Sequence, residues 1–172
     1  GAENLIQTTV PFATVSVYTR VEFEIADLSA IRDVFIGADY DDAYVAWING
    51  VEVYRSAQAP SSGSMAWDTA VTGHESSNAS TPDYTPLIDV SSAIPALRNG
   101  TNVLAVGVWN AVPSGRPSSD LVLVPRLSIN RPAARNRSRP RCTESTSAKS
   151  TSRCCGRSPA ISSGSSKKSS AN

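Results

Sequence analysis

The chain has 172 residues, 40% of them hydrophobic, and a formal net charge of +1, enough for one domain core and too little for two. That near-neutral total hides a split: residues 1–129 carry 6 Arg, no Lys and 14 Asp or Glu, whereas residues 130–172 carry 7 Arg, 3 Lys and one Glu. All eleven aromatic residues lie at or before Trp109, and no apolar run reaches the roughly 18 residues of a membrane span, so residues 1–129 must build the core and no spanning helix is expected.

From Val15 to Ile25 the odd positions are Val15, Val17, Thr19, Val21, Phe23 and Ile25, with Tyr18, Arg20, Glu22 and Glu24 between them. A period of two over eleven residues predicts a half-buried strand. Residues 33–39, Ala43 to Ile48 and Val51 to Arg55 are the next three strands. Asn49-Gly50 joins the last two as a two-residue hairpin turn that needs φ > 0 at both positions. Ser56 to Tyr84 has no period, is rich in Ser, Gly, Pro, Thr and Asn, and carries Trp67, His74 and Tyr84; it reads as a long loop, functional or disordered. Pro86 to Val90 is a short strand, followed by a helix of one to two turns from Ala93 to Arg98, capped by Asp89, Ser91 or Ser92 and stopped at Asn99-Gly100. Thr101 to Trp109 is apolar on both faces and reads as a central strand. Asp120 to Ile129 is the last strand, where Pro125 calls for an edge or a bulge. Six or seven strands, short turns and one small helix predict an all-β fold, a β-sandwich.

Residues 130–172 hold 12 Ser, one branched apolar residue (Ile161) and all three cysteines, Cys142, Cys154 and Cys155. Two readings stay open for them: a disordered, Arg/Ser-rich basic tail, or sequence read out of frame. Lacking aromatic rings for stacking and following an acidic domain, they are not read as a nucleic-acid binder. A core without cysteine excludes a disulfide framework and thiolate catalysis there.

Three groups of residues carry chemistry. Asp39, Asp41 and Asp42 place three carboxylates within four residues at a strand end, a donor set suited to Ca²⁺, with Asp120, Glu22 or Glu24 as further ligands from another strand; the competing reading is a solvated, turn-forming acidic stretch. Trp67, Tyr84 and Trp109 lie in or beside loops, where flat rings stack on sugar C–H faces, and Arg55 and Arg116 join them by loop position. Trp67 is expected to be exposed, while Trp109, closing an apolar strand, suits the core as well as it suits a sugar. An enzyme reading draws on His74 and Glu75 with Asp68 and the nearby Ser76 and Ser77: a base, a carboxylate pair and a nucleophile in one loop. No metalloprotease His-Glu-x-x-His and no G-x-S-x-G elbow accompanies them.

Together, SVYTRVEFEI, GADYDDAYVAWINGVEVYRS, NGTNVLAVGVWN and SSDLVLVPRLSI resemble a family of bacterial secreted modules with a galactose-binding-like, carbohydrate-binding-module-like jelly roll. The resemblance covers residues 1–129. Its most specific pieces are Asp39 to Gly50 and Asn99 to Trp109, although the family has Gly where this chain has Ala43. It implies a jelly-roll β-sandwich that begins inside the module and lacks its first strand or two. It further implies secretion or a cell-surface location, a structural calcium ion, and non-catalytic binding of carbohydrate or surface polysaccharide beside neighbouring domains of a larger protein. A small calcium-dependent hydrolase of ester, lactone or glycosidic bonds, and a structural cell-surface assembly module, are the alternatives.

Overall fold

The structure is a computed structural model that describes residues 7–112 and 115–130; the expectations for the basic tail and its cysteines lie outside them. Among the described residues seven strands form in chain order: β1 Ser16–Ile25, β2 Val34–Asp41, β3 Ala43–Ile48, β4 Val51–Arg55, β5 Ile88–Asp89, β6 Gly100–Trp109 and β7 Val122–Ile129. They make two antiparallel sheets, one of four strands in the order β1-β6-β3-β4 and one of three in the order β5-β2-β7. The fold is all-β, and no helix among the described residues is long and apolar enough to cross a membrane.

The two-residue period positions the core. Val34, Ile36, Ala38 and Tyr40 of β2 pack against Tyr44, Ala46 and Ile48 of β3 and Leu104 and Val106 of β6, and the alternate residues of β2, Asp39 and Asp41 among them, belong to its other face. The four-stranded sheet is also covered on its outer side. Ala43, Val45 and Trp109 gather there with Ala59, Met65 and Val71 from the loop that follows β4, so β6 is a central strand buried on both faces. Gly107 is required beneath this cluster, because a Cβ there would meet the Trp109 ring at 2.6 Å.

The Asn49-Gly50 turn forms with φ of 49° and 83°. Asn49 also donates through Nδ2 to the Ala96 carbonyl and to Asn102 Oδ1, at 2.8 Å each, and its Oδ1 accepts from Val103 N–H. This ties the turn to fully buried Asn102. Pro125 sits in β7, an edge strand, where no ladder donor is lost to a second neighbour.

Two expectations need correction. The helix expected over Ala93 to Arg98 is a 3₁₀ segment at Ser91–Ala96: Pro95 removes a backbone donor and favours the shorter turn, and Asp89 accepts from Ser91 N–H and its hydroxyl rather than capping an α-helix. β1 is half-buried only near its ends; Val21 is 56% exposed, because β1 is the edge of a four-stranded sheet faced by only three strands.

Candidate metal centre and adjoining cleft

The three aspartates after Ala38 part ways. Asp39 holds the loop that returns toward β5: its Oδ1 accepts from Ser77 N–H at 2.7 Å, and its Oδ2 from the Ser77 hydroxyl and from Asp83 N–H at 3.0 Å. Burial works against its charge, but these donors outweigh it and hold the carboxyl below the usual range. Asp42 accepts from His74 N–H at 2.8 Å through Oδ1 and from Ala111 N–H at 2.7 Å through Oδ2, stitching two loops to the β2–β3 corner. The peptide bond joining Asp41 to Asp42 is cis.

Asp41 differs from both. It is 1% exposed, and its Oδ1 is buried without a hydrogen-bond partner. One oxygen each of Asp41, Glu75 and Asp120 lies within 4.8 Å of the others. Asp120 arrives by register: Asp41 pairs with Val122 at the end of the β2–β7 ladder, which leaves Asp120 just beyond that pair. Glu75 arrives because Asp42 fixes the backbone of His74 beside it. Burial, and then the charges of Asp42, Asp120 and Glu75, push the Asp41 carboxyl up to about 7. Oxygens around one Ca²⁺ at about 2.3–2.6 Å lie no more than about 5 Å apart, which the spacing of this triad meets. The donor set expected as Asp39, Asp41 and Asp42 is therefore centred on Asp41, with Glu75 and Asp120 as its neighbours; of the further ligands considered, Asp120 is the one brought in.

Next to the triad lies a cleft of about 240 Å³ at the side of the sandwich, lined in part by Asp39, Tyr40, Tyr44, Tyr54, His74 and Glu75. His74 stacks on Tyr40 at 4.1 Å between centroids with 3° between the planes. Its Nδ1 lies 3.1 Å from the Tyr40 carbonyl oxygen; a carbonyl only accepts, so Nδ1 carries a proton directed at it. Tyr44 packs edge-on against Tyr40 at 4.6 Å and lies 5.2 Å from Tyr54, and burial raises its hydroxyl pKa well above the usual tyrosine value.

The residues expected to meet a sugar fare differently. Trp109 is fully buried: its indole N–H donates to the Ala66 carbonyl at 2.7 Å, and its ring meets Tyr18 edge-on at 5.3 Å. It is a core residue and not a ligand contact. Arg55 is likewise withdrawn, since its guanidinium is paired with both oxygens of Glu52 and donates to the Pro60 and Gly63 carbonyls, so it holds the loop after β4. Arg116 is exposed. Trp67 is 66% exposed and stands outside the cleft lining. Tyr84 is half-buried with Arg126 over its ring at 5.3 Å, between the lining residues Asp83 and Thr85.

Of the catalytic set, His74 and Glu75 line the cleft, but Ser77 donates its hydroxyl to Asp39 and Asp68 is exposed. Glu75 has Asp41 and Asp120 as its carboxylate neighbours instead of the Asp68 expected. Sequence reasoning singled out none of Tyr40, Tyr44 and Tyr54 for the site. They lie on β2, β3 and β4, Tyr44 within the core, and only the packing of these strands brings the three to one cavity. No protein-family model matches the chain, and neither do any curated proteins or solved structures.

Proposed function

We propose that this chain is an accessory binding module, galactose-binding-like in kind and secreted or displayed at the cell surface beside other domains. In this reading it takes carbohydrate or a surface polysaccharide in the tyrosine-lined cleft and is stabilised by calcium at Asp41, Glu75 and Asp120. The observation that carries the reading is Glu75, which belongs both to the carboxylate triad and to the cleft lining. A cation drawn to the triad fixes the segment that also positions His74 over Tyr40. An all-oxygen, all-carboxylate donor set favours a hard cation such as Ca²⁺ over softer metals.

A calcium-dependent hydrolase of ester, lactone or glycosidic bonds is the second reading, favoured by one observation: His74, its Nδ1 turned to the Tyr40 carbonyl, shares the cleft with Glu75. One experiment separates the two. Glycan arrays and ester, lactone and aryl-glycoside substrates are presented to the wild type, Tyr54→Ala, Trp67→Ala and His74→Ala, each with calcium. For a binding module, Tyr54→Ala costs about 1–3 kcal/mol of glycan affinity through lost ring contact, and Trp67→Ala costs far less. Sustained turnover lost with His74→Ala, by about 10²-fold or more, would replace the binding reading by the hydrolase.

A further inference from the structure

Three carboxylates, Asp39, Glu75 and Asp83, line the cleft, and no lysine or arginine does. A carboxylate offers about four acceptor sites. Asp39 uses three, on Ser77 N–H, the Ser77 hydroxyl and Asp83 N–H, while Asp83 uses one, on Thr85 N–H. Glu75 adds a third carboxylate. The lining hydroxyls are those of Tyr44, Tyr54 and Thr85, of Tyr40, which is 3.0 Å from Gln58 Oε1, and of Ser77, which serves Asp39; none carries positive charge. Residues 1–129 contain no lysine. Arg55 is held by Glu52 and two carbonyls, Arg126 lies over Tyr84, and no guanidinium is among the lining residues. Tyr40, Tyr44 and Tyr54 share the rest of the wall with Ala38, Thr85, Pro86 and Ile88, and tyrosine ring faces attract cations.

A site with that balance complements a ligand that brings donors and positive charge. At about 240 Å³ the cleft falls below the roughly 300–1,000 Å³ of sites for drug-sized molecules, which suits one sugar unit or a small amine. Building on the carbohydrate reading above, we infer that the unit it selects is an amino sugar with a free, protonated amine, the ammonium directed at Asp39 and Asp83 and the ring packed on Tyr54. These two carboxylates remain available when Glu75 is engaged by a cation.

The test is calorimetric titration of the full chain, calcium-loaded at about pH 6, below the pKa of about 7.7–8.0 of a typical α-amino group. Three β-1,4-linked tetrasaccharides are compared: of glucosamine, of N-acetylglucosamine and of glucose. The glucosamine oligomer is expected to bind at least about 5-fold more tightly than the other two. The preference should shrink in about 1 M salt, where the screening length is about 3 Å, and should fall by about 3-fold in Asp83→Asn with the neutral sugars unaffected. Asp83→Asn keeps the side-chain oxygen that accepts from Thr85, and its melting temperature serves as the control for folding. Equal binding of all three oligomers would overturn the amine preference and leave the carbohydrate reading standing. Binding of none would remove both, and a preference that survives both Asp83→Asn and high salt would overturn the carboxylate origin claimed here.

Discussion

Replacing Asp41 by Asn raises the melting temperature of the protein held in chelator by about 5–10 °C at pH 8. The wild-type carboxyl is 1% exposed, has a partnerless oxygen and sits among Asp42, Asp120 and Glu75, which is why its pKa is pushed up to about 7 from an ordinary 3.8. A carboxyl whose pKa is higher in the folded than in the unfolded state holds its proton longer when folded. It therefore costs nothing below about pH 4, costs progressively more as pH rises toward 7, and imposes its full penalty above that. A buried, unpaired carboxylate costs the folded state several kcal/mol. The Asn amide, needing partners of its own, returns part of this, leaving about 2 kcal/mol in favour of the variant. The gap between variant and wild type thus opens from pH 5 to pH 8. Asp39 contributes in the opposite sense, its lowered pKa giving stability above about pH 4 that is lost on acidification, but it is common to both proteins and cancels. Melting curves of both proteins in chelator at the two pH values check this; a gap that stays constant would mean that Asp41 does not carry the strain.

Trp109→Ala is the most damaging single substitution expected in the core. The ring fills the space over Gly107, meets Tyr18 and Trp47, and donates to the Ala66 carbonyl. Removing it costs about 3–5 kcal/mol, and it releases the segment carrying Ala59, Met65 and Val71 from the outer face of the four-stranded sheet. The denaturation midpoint should fall accordingly, and protease should cut first near Ala66. Trp109→Phe keeps most of the ring and loses the N–H donor, for about 1–2 kcal/mol. An unchanged midpoint in Trp109→Ala would contradict the core assignment.

The strands were legible because their signals are local. The alternation in β1, the Asn49-Gly50 turn and Pro125 at an edge each follow from neighbouring residues. Trp109 carried a local signal too: Gly107, two residues earlier on the same face, leaves room for a ring. The helix misread at Ala93 follows from weighing its caps above Pro95. The site was less legible, since Asp41, Glu75 and Asp120 meet through a ladder register and through the bond from His74 N–H to Asp42, neither of which leaves a spacing in the sequence. The crowded aspartates are visible in the sequence, but not the division of labour in which Asp39 and Asp42 hold loops and Asp41 faces two carboxylates remote in sequence.

The most direct measurement is the thermal unfolding of the wild-type chain at pH 7.5, in chelator and then with calcium in excess. A cation bound only by the folded state at 100 times its dissociation constant adds about 2.7 kcal/mol, and it also relieves repulsion among three carboxylates. The melting temperature should therefore rise by about 10 °C, with no rise in Asp41→Asn. Superimposable wild-type curves with and without calcium would contradict a cation site at Asp41, Glu75 and Asp120.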